Sequence, residues 1–488
     1  MKDYSFVNYI CALRTGLGLS QFQLGALVGV TDKAVSKWEN GDAKPRVSTC
    51  YRLAEVLGVS ISELLSCKQI TVPARKELEK MNYRLWKEAY RRLSIYGETP
   101  PVECLSRLAA EETALRGTDA IQSFAVAGKM QEALKEHNST MIVAGSVNSS
   151  FAAWLFGGTN VNPLRPHYRC PACGRVEFSE GVADGFDLPT KKCHCGEMYI
   201  RDGHNLPFEG YAKAERDGTH IEFRISEKSL PIASKALLEF YEGKAYLLPV
   251  KMLSSYEQQP VIRYTILPET KARPELSEDG FWHISMDDYW EWQENETTFT
   301  FLFNEQLNAM DEANEQQKIS LPNPISLLSL EMAEKLYQRR CEQYAFFTDK
   351  LEPTEAHDYD LLLRIDGLSH STGAWNHNGD RLVATGIASV RDIPATREDI
   401  WNTVSTALIK HNVHDHGLAL LIMENARRGL FYSKGISENI RTSMNALELP
   451  AWYPEYLERV MYLFPKGHCV AYLLIDALWE WAKENMNI

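Results

Sequence analysis

Four cysteines stand out as residues whose spacing could do chemistry. Cys170-Pro171-Ala172-Cys173 is a CxxC knuckle, and Cys193-His194-Cys195-Gly196 follows after nineteen intervening residues. Four thiolates at that separation suit a tetrahedral, structural Zn2+ site, because a thiolate set with no open position leaves the ion nothing to catalyse. The second half is CxC, a tighter knuckle than CxxC, so His194 stands as an alternative to one thiolate. Free cysteines that bind nothing are the plain alternative. The other cysteines are scattered, and without a secretory leader the cluster argues for metal over disulfides.

A second pattern lies at the amino end. Ser20 with Gln23 three residues on is a capping box that opens a helix. Leu24, Leu27 and Val28 give that helix its apolar face, and Gly25 lets the next helix cross closely. Gly29 supplies the turn. Thr31 caps a second helix whose Val35 and Trp38 point inward, leaving Asp32, Lys33, Ser36 and Lys37 on the outer face. These four, with Gln21 and Thr31, can reach base edges and phosphates from a major groove. Glu39-Asn40-Gly41 closes that helix, and Ser60-Ile61-Ser62-Glu63 caps another. Residues 5–66 are predicted to form five short helices, and together they resemble the Cro/repressor-like regulators. The resemblance implies double-stranded DNA as partner and a homodimer on paired half-sites.

The elements that must carry these groups fill a chain of 488 residues, enough for several domains. A hydrophobic content of 44% and a mean hydropathy of −0.31 describe an ordinary globular protein. The start, Met1-Lys2-Asp3-Tyr4-Ser5, does not read as a signal peptide, and no apolar run is long enough to span a bilayer. A cytoplasmic protein with no membrane partner is expected. The net charge of −13 divides unevenly: residues 1–68 carry eight Lys/Arg against six Asp/Glu, leaving the acidic balance to the rest. DNA contact therefore belongs to the amino end, since the body would repel phosphates on its own.

Along the chain, residues 72–93 read as a charged helical connector, and Gly97 to Pro101 as a break. Residues 102–137 are helical by period. Strand-like runs follow at 220–225 and 261–266. Asp311 to Lys318 and Leu321-Pro322-Asn323-Pro324 read as loop or linker, and from about Leu328 onward the chain is mainly helical. There are no internal repeats.

Longer blocks then bring a second resemblance. Asn162 to Cys170, Asp184-Gly185-Phe186-Asp187-Leu188-Pro189 and Asp202 to Glu209 flank the cysteines. Ile95-Tyr96-Gly97 and Gly145 to Phe151 lie upstream. Leu363 to His370, Ile422 to Gly429, Pro450 to Tyr453 and Phe464 to Tyr472 lie downstream. In this order they are similar to the palm and fingers of the bacterial replicative DNA polymerase III alpha subunit, in the form carrying its own exonuclease. Residues 92–225 and 355–485 are covered. The implied architecture is multidomain: an all-α five-helix helix-turn-helix domain at 1–68 and a helical connector at 69–91. An α+β palm-like region follows at 92–325, with a zinc-knuckle insertion at 165–210, and then a mainly α-helical fingers-like region at 326–488.

That resemblance assigns Arg427 or Arg428, Lys466, His468 and Tyr472 to an incoming-triphosphate pocket, or leaves them as packing around a turn. It also raises a difficulty. Nucleotidyl transfer in this family uses an Asp-x-Asp pair and a third Asp to seat two metal ions. His220-Ile221-Glu222 occupies the place of the pair, Asp311 is a loose candidate for the third, and Ala144 stands for a phosphate-contacting Arg. Asp287, Asp288 and Glu291 read as solvated surface. The expectation at this level is a non-enzymatic DNA-binding regulator with a degenerate polymerase body that holds a nucleotide or a replication protein. The alternatives are a nucleotidyl transferase using His220, Glu222 and Asp311, and a polymerase mimic that docks on a replisome.

Overall fold

In the computed structural model, the described residues are 10–11, 14, 19–40, 42–57, 72–116, 118–209, 211, 220–241, 246–253, 260–267, 275–276, 282–283, 298–349, 351, 355–413, 415–486 and 488. The Ser60 capping box, Asp287, Asp288 and Glu291 lie outside them, as do most residues of the first and last helices expected at the amino end.

Helices α1 (Gln21–Val28), α2 (Asp32–Glu39) and α3 (Val47–Leu57) share a core of Leu24, Val28, Val35, Trp38, Leu53 and Leu57. The Ser20 capping box is formed in both directions, with Gln23 N–H donating to Ser20 Oγ at 3.1 Å and Ser20 N–H to Gln23 Oε1 at 2.8 Å. Gly29 takes a left-handed φ of 78°, and a Cβ on Gly25 would meet the carbonyl of Val30 at 2.9 Å. Both glycines are thus required by the turn between α1 and α2. Leu27 departs from expectation. It is 58% exposed, because Leu24, Gly25 and Val28 already fill the narrow stripe that an eight-residue helix presents to its core.

The body begins with α4 (Val72–Arg92), which is more than a connector: Trp86 and Ala89 are buried in the same core as Phe124 and Phe223. Helices α5 (Val102–Ala114) and α6 (Ala120–Glu136) fill the run expected to be helical. The break at Thr118–Asp119 is held by Asn82 Nδ2 donating to the Thr118 carbonyl and to Asp119 Oδ1.

A seven-stranded sheet backs these helices, in the order β1-β5-β10-β7-β6-β9-β8. Its strands are β1 (Ile142–Ala144), β5 (His220–Ile225), β6 (Tyr246–Leu253), β7 (Pro260–Leu267), β8 (Glu275–Leu276), β9 (Trp282–His283) and β10 (Thr298–Phe303). β5 runs antiparallel to β1 and parallel to β10, so Glu222 sits between Ala144 and Thr300. A separate three-stranded sheet, β3-β2-β4, carries the cysteines; its strands are β2 (His167–Arg169), β3 (Val176–Phe178) and β4 (Ile200–Asp202). Short helix α7 (Phe151–Leu155) and α8 (Leu230–Tyr241) complete this half.

Residues 305–317, expected in part as loop, form helix α9 (Glu305–Gln317). Asn304 caps it by accepting from Leu307 N–H, and Leu307, Met310, Ala313 and Asn314 recur at helical spacing on its buried side. The remainder is helical as expected. α10 (Leu330–Gln343), α11 (Tyr359–His370), α12 (Arg397–Lys410), α13 (His416–Arg427) and α14 (Lys466–Asn485) are its main elements. The last helix is the keystone: Val470, Leu473, Leu474 and Leu478 join Leu336 and Leu362 of the helical half to Ile142 of β1. Among the described residues no helix is long and apolar enough to cross a membrane.

Candidate functional site

Blocks that lie hundreds of residues apart in sequence meet at the start of α14. A Cβ on Gly467 would come within 2.7 Å of Asn148 Cβ and 3.2 Å of Leu206 Cδ1. The turn at 464–472 is therefore pressed against both the 145–151 loop and the segment after β4. The loop is itself fixed from below. Asn148 Nδ2 donates to the Val143 carbonyl at 2.9 Å, and buried Glu111 accepts from Ser150 Oγ and from the N–H groups of Phe151 and Ala152.

A buried polar chain ties the cysteine lobe to the same point. Asn162 Nδ2 donates to Tyr96 Oη and to Asp202 Oδ2, both at 2.9 Å. His204 Nδ1 lies 2.9 Å from Asp184 Oδ2, and Lys466 Nζ 3.1 Å from the same oxygen. Burial alone would push Asp184 upward, but His204 and Lys466 hold its carboxyl at about 2. Lys466, 6% exposed, thus spends its charge on Asp184. Asp187, three residues on, caps α11 by accepting from the N–H groups of Tyr359 and Asp360.

Around this point stand cations and aromatic rings. His370, Phe464, His468 and Tyr472 form a row with successive centroids 4.8–4.9 Å apart. Desolvation pushes His468 down to about 3, with Arg224, His370 and Arg397 adding to the effect. His468 is therefore neutral at ordinary pH. Arg224 of β5 reaches Glu222 at 3.0 Å. His220 stands two positions earlier on that strand.

Of the other residues singled out from the sequence, Arg427 pairs with Glu424 through both Nε and Nη2, and Arg428 reaches the same carboxylate at 3.2 Å. Lys466, His468 and Tyr472 share the first turns of α14, so the structure brings them together. Asp311 is not brought to Glu222. Its Oδ2 accepts from Ser139, Ser226 and Ser229, beyond the far end of β5. Sequence reading missed Arg224 and Arg397, and the only signal for Arg224 was a cation two residues from Glu222 inside a strand.

The cysteine set is compact. All four sulfurs of Cys170, Cys173, Cys193 and Cys195 lie within 4.8 Å of one another, with Cys170–Cys195 at 3.5 Å and Cys173–Cys193 at 3.6 Å. A tetrahedron of bonds of about 2.3 Å places its sulfurs about 3.8 Å apart, so the cluster has the size of a four-thiolate site and could hold a metal ion. His194 Nδ1 is 3.3 Å from Cys193 Sγ, at the edge of the set. A Cβ on Gly174, φ +70°, would fall 2.3 Å from Gly97 N, so the knuckle is seated directly on the Tyr96–Gly97 turn.

On the amino-terminal face, Thr31, Asp32, Lys33 and Lys37 are exposed and Ser36 is half-buried. Thr31 Oγ1 accepts from Ala34 N–H and Asp32 Oδ1 from Lys33 N–H. Gln21 instead donates to Glu39 Oε2 at 2.7 Å, and Glu39 is paired with Arg14 at 2.6 Å.

Residues 12–64 match the family described as Helix-turn-helix. Most of the chain is similar to curated proteins named DNA polymerase III PolC-type. The one from Thermotoga petrophila is 26% identical over 455 residues, 79% of this chain and 32% of that protein. Those from Listeria welshimeri and Staphylococcus aureus are each 24% identical, covering 82% and 86% of this chain and 31% and 34% of theirs. The chain spans about a third of the length of these relatives. A helix-turn-helix is thus joined to a polymerase III-like region, and the similarity takes in more of the chain than the blocks 92–225 and 355–485 contain. One expectation is overturned. The relatives are named as polymerases, which are enzymes, so the reading of this chain as non-enzymatic does not stand.

Proposed function

We propose that this chain docks on double-stranded DNA through Thr31, Asp32, Lys33, Ser36 and Lys37, with Gln21 at the edge of the contact. The body beside it is a DNA-directed nucleotidyl transferase. Dimeric binding to paired half-sites suits a helix-turn-helix of this type, and control of transcription at the bound site is the regulatory side of the same reading. The observation that carries the enzymatic part is the meeting of the 145–151, 202–209 and 464–472 segments at Gly467. His468 and Tyr472 stand at the start of α14, and the charges of Arg224 and Arg397 act on His468, so groups from both halves of the polymerase-like body converge there.

At that point Tyr472, which ends the row, offers a ring face and a polar tip to a nucleotide, neutral His468 backs it, and Arg224 and Arg397 supply positive potential for its phosphates. Glu222 is the carboxylate placed to take part in seating a divalent cation, with His220 as the other candidate ligand on the strand. When bound, such a cation would neutralise charge on the transferred phosphate. Zn2+ in the four-cysteine set would be structural, holding the knuckle on the Tyr96–Gly97 turn.

Primer extension on a recessed duplex, with Mg2+ and with Mn2+, tests the reading. Template-directed incorporation is expected, with a fall of at least about a hundredfold in Glu222→Ala, the order expected when a group stabilising transition-state charge is lost. Absence of incorporation with either ion, or incorporation indifferent to Glu222→Ala, would remove the transferase from the proposal.

A further inference from the structure

We propose a second anion site between the end of α4 and α7, built to take a phosphorylated nucleobase unit. The unit is either a free nucleotide or one residue of a single strand. A surface cavity of about 340 Å3 is lined by Arg91, Arg92, Ser94, Ile95, Trp154 and Leu155. Its volume falls at the lower end of small-ligand pockets. Nothing in the transferase reading uses these residues, and the site stands without it.

The charge at the cavity is unbalanced. Arg91 and Arg92 both pair with one carboxylate, Glu88, which these hydrogen bonds, that of Arg91 foremost, hold at about 2. A third guanidinium, Arg169, stacks on the indole of Trp154 with Cζ 5.7 Å from the ring centroid. Arg169 is 9% exposed, and its Nε is buried without a hydrogen-bond partner. Two guanidinium groups of the cavity wall therefore share a single carboxylate, and a third is held against Trp154, another residue of that wall. Leaving a cation so withdrawn from water costs free energy that a bound anion would offset.

The apolar part of the wall favours a phosphate attached to a flat ring over a bare phosphate. Ile95 is 42% exposed, and Trp154 is half-buried, tied to Phe151 by a stacked contact at 5.8 Å. Arg92 lies over Phe156 at 5.0 Å and donates to the Leu155 carbonyl, so its guanidinium is fixed before any ligand arrives. A rigid cation beside an apolar wall is how an aromatic base and its phosphate are held together in sequence-tolerant nucleic-acid sites.

Photo-crosslinking of the full chain tests the site with two probes. One is 8-azidoadenosine triphosphate; the other is a short single-stranded oligonucleotide carrying 5-iododeoxyuridine. Label is expected in peptides holding Ser94–Ile95 or Trp154–Leu155, reduced about tenfold in Arg169→Met, the scale for losing a charge-assisted hydrogen bond. Arg91→Glu, at a side chain 76% exposed, should lower it comparably without threatening the fold. Label from the triphosphate alone identifies a free nucleotide, label from the oligonucleotide alone a strand, and label from both the shared chemistry. Label confined to other peptides, or unchanged in Arg91→Glu, overturns the proposal.

Discussion

At the scale of single residues, the instructive contrast is between two carboxyls three positions apart. Asp184 faces His204 and Lys466 and stays ionised, whereas burial, with Asp184 and Asp358 nearby, pushes Asp187 up to about 7. The N–H groups of Tyr359 and Asp360 pull the other way without winning. Raised from 3.8, Asp187 binds its proton more tightly in the folded chain than in the unfolded one. Between about pH 4 and pH 7 the folded state therefore holds more protons, and stability falls as pH rises through that window. The effect is bounded at about 4 kcal/mol by the size of the shift. Denaturant unfolding of Asp187→Asn should lack this slope, so that the variant gains on the wild type from pH 5 to pH 8. A constant difference across that range would show that α11 is indifferent to the charge at its cap.

At the scale of elements, backbone approach matters more than side-chain inventory. Gly128 of α6 crosses α7 so closely that a Cβ would fall 2.1 Å from the Phe156 carbonyl oxygen. Backbone cannot rotate away as a side chain can, so Gly128→Ala should destabilise the body by about 1–3 kcal/mol, read from the shift of its denaturant midpoint. The knuckle is held in a comparable way at Gly97 and Gly174, with the four cysteines behind it. About one Zn2+ per chain is expected by elemental analysis, lost in Cys170→Ser and Cys173→Ser; metal-free protein of unchanged stability would refute it. Elements with local signals were legible beforehand. The Ser20 box, the β5 and β7 runs and the helical carboxyl half follow from caps and periodicity. Helix α9 was not legible, since its polar face hid a narrow stripe of Leu307, Met310 and Ala313. Leu27 failed for a related reason: a short helix has room for fewer buried positions than its apolar residues suggest. The contact of Gly467 with Asn148 has no local signature at all, and it was reachable only through the resemblance of ordered blocks.

At the scale of the whole molecule, charge separates the two activities proposed for the chain. The amino-terminal 68 residues hold the positive surplus, while the remainder is acidic and cannot grip duplex DNA by bulk attraction. Lys33 and Lys37 are exposed on α2, one helical turn apart, and neither is drawn into the Arg14–Glu39–Gln21 cluster that braces the domain from inside. Their removal should cost binding without costing fold. Each phosphate contact releases condensed counterions, so Lys33→Gln with Lys37→Gln should flatten the plot of log affinity against log salt by about 1.8. Fluorescence anisotropy of the intact protein on duplex DNA, across a salt series, reads this directly. If the body rather than α2 gripped the duplex, the slope would be unchanged. Primer extension on a short, untethered template should by contrast survive the double substitution, because the groups proposed to act on the nucleotide, Glu222, Arg224 and Tyr472, all belong to the body. Joint loss of both activities would mean that the helix-turn-helix delivers the template to the body, making the two domains a single DNA-handling unit.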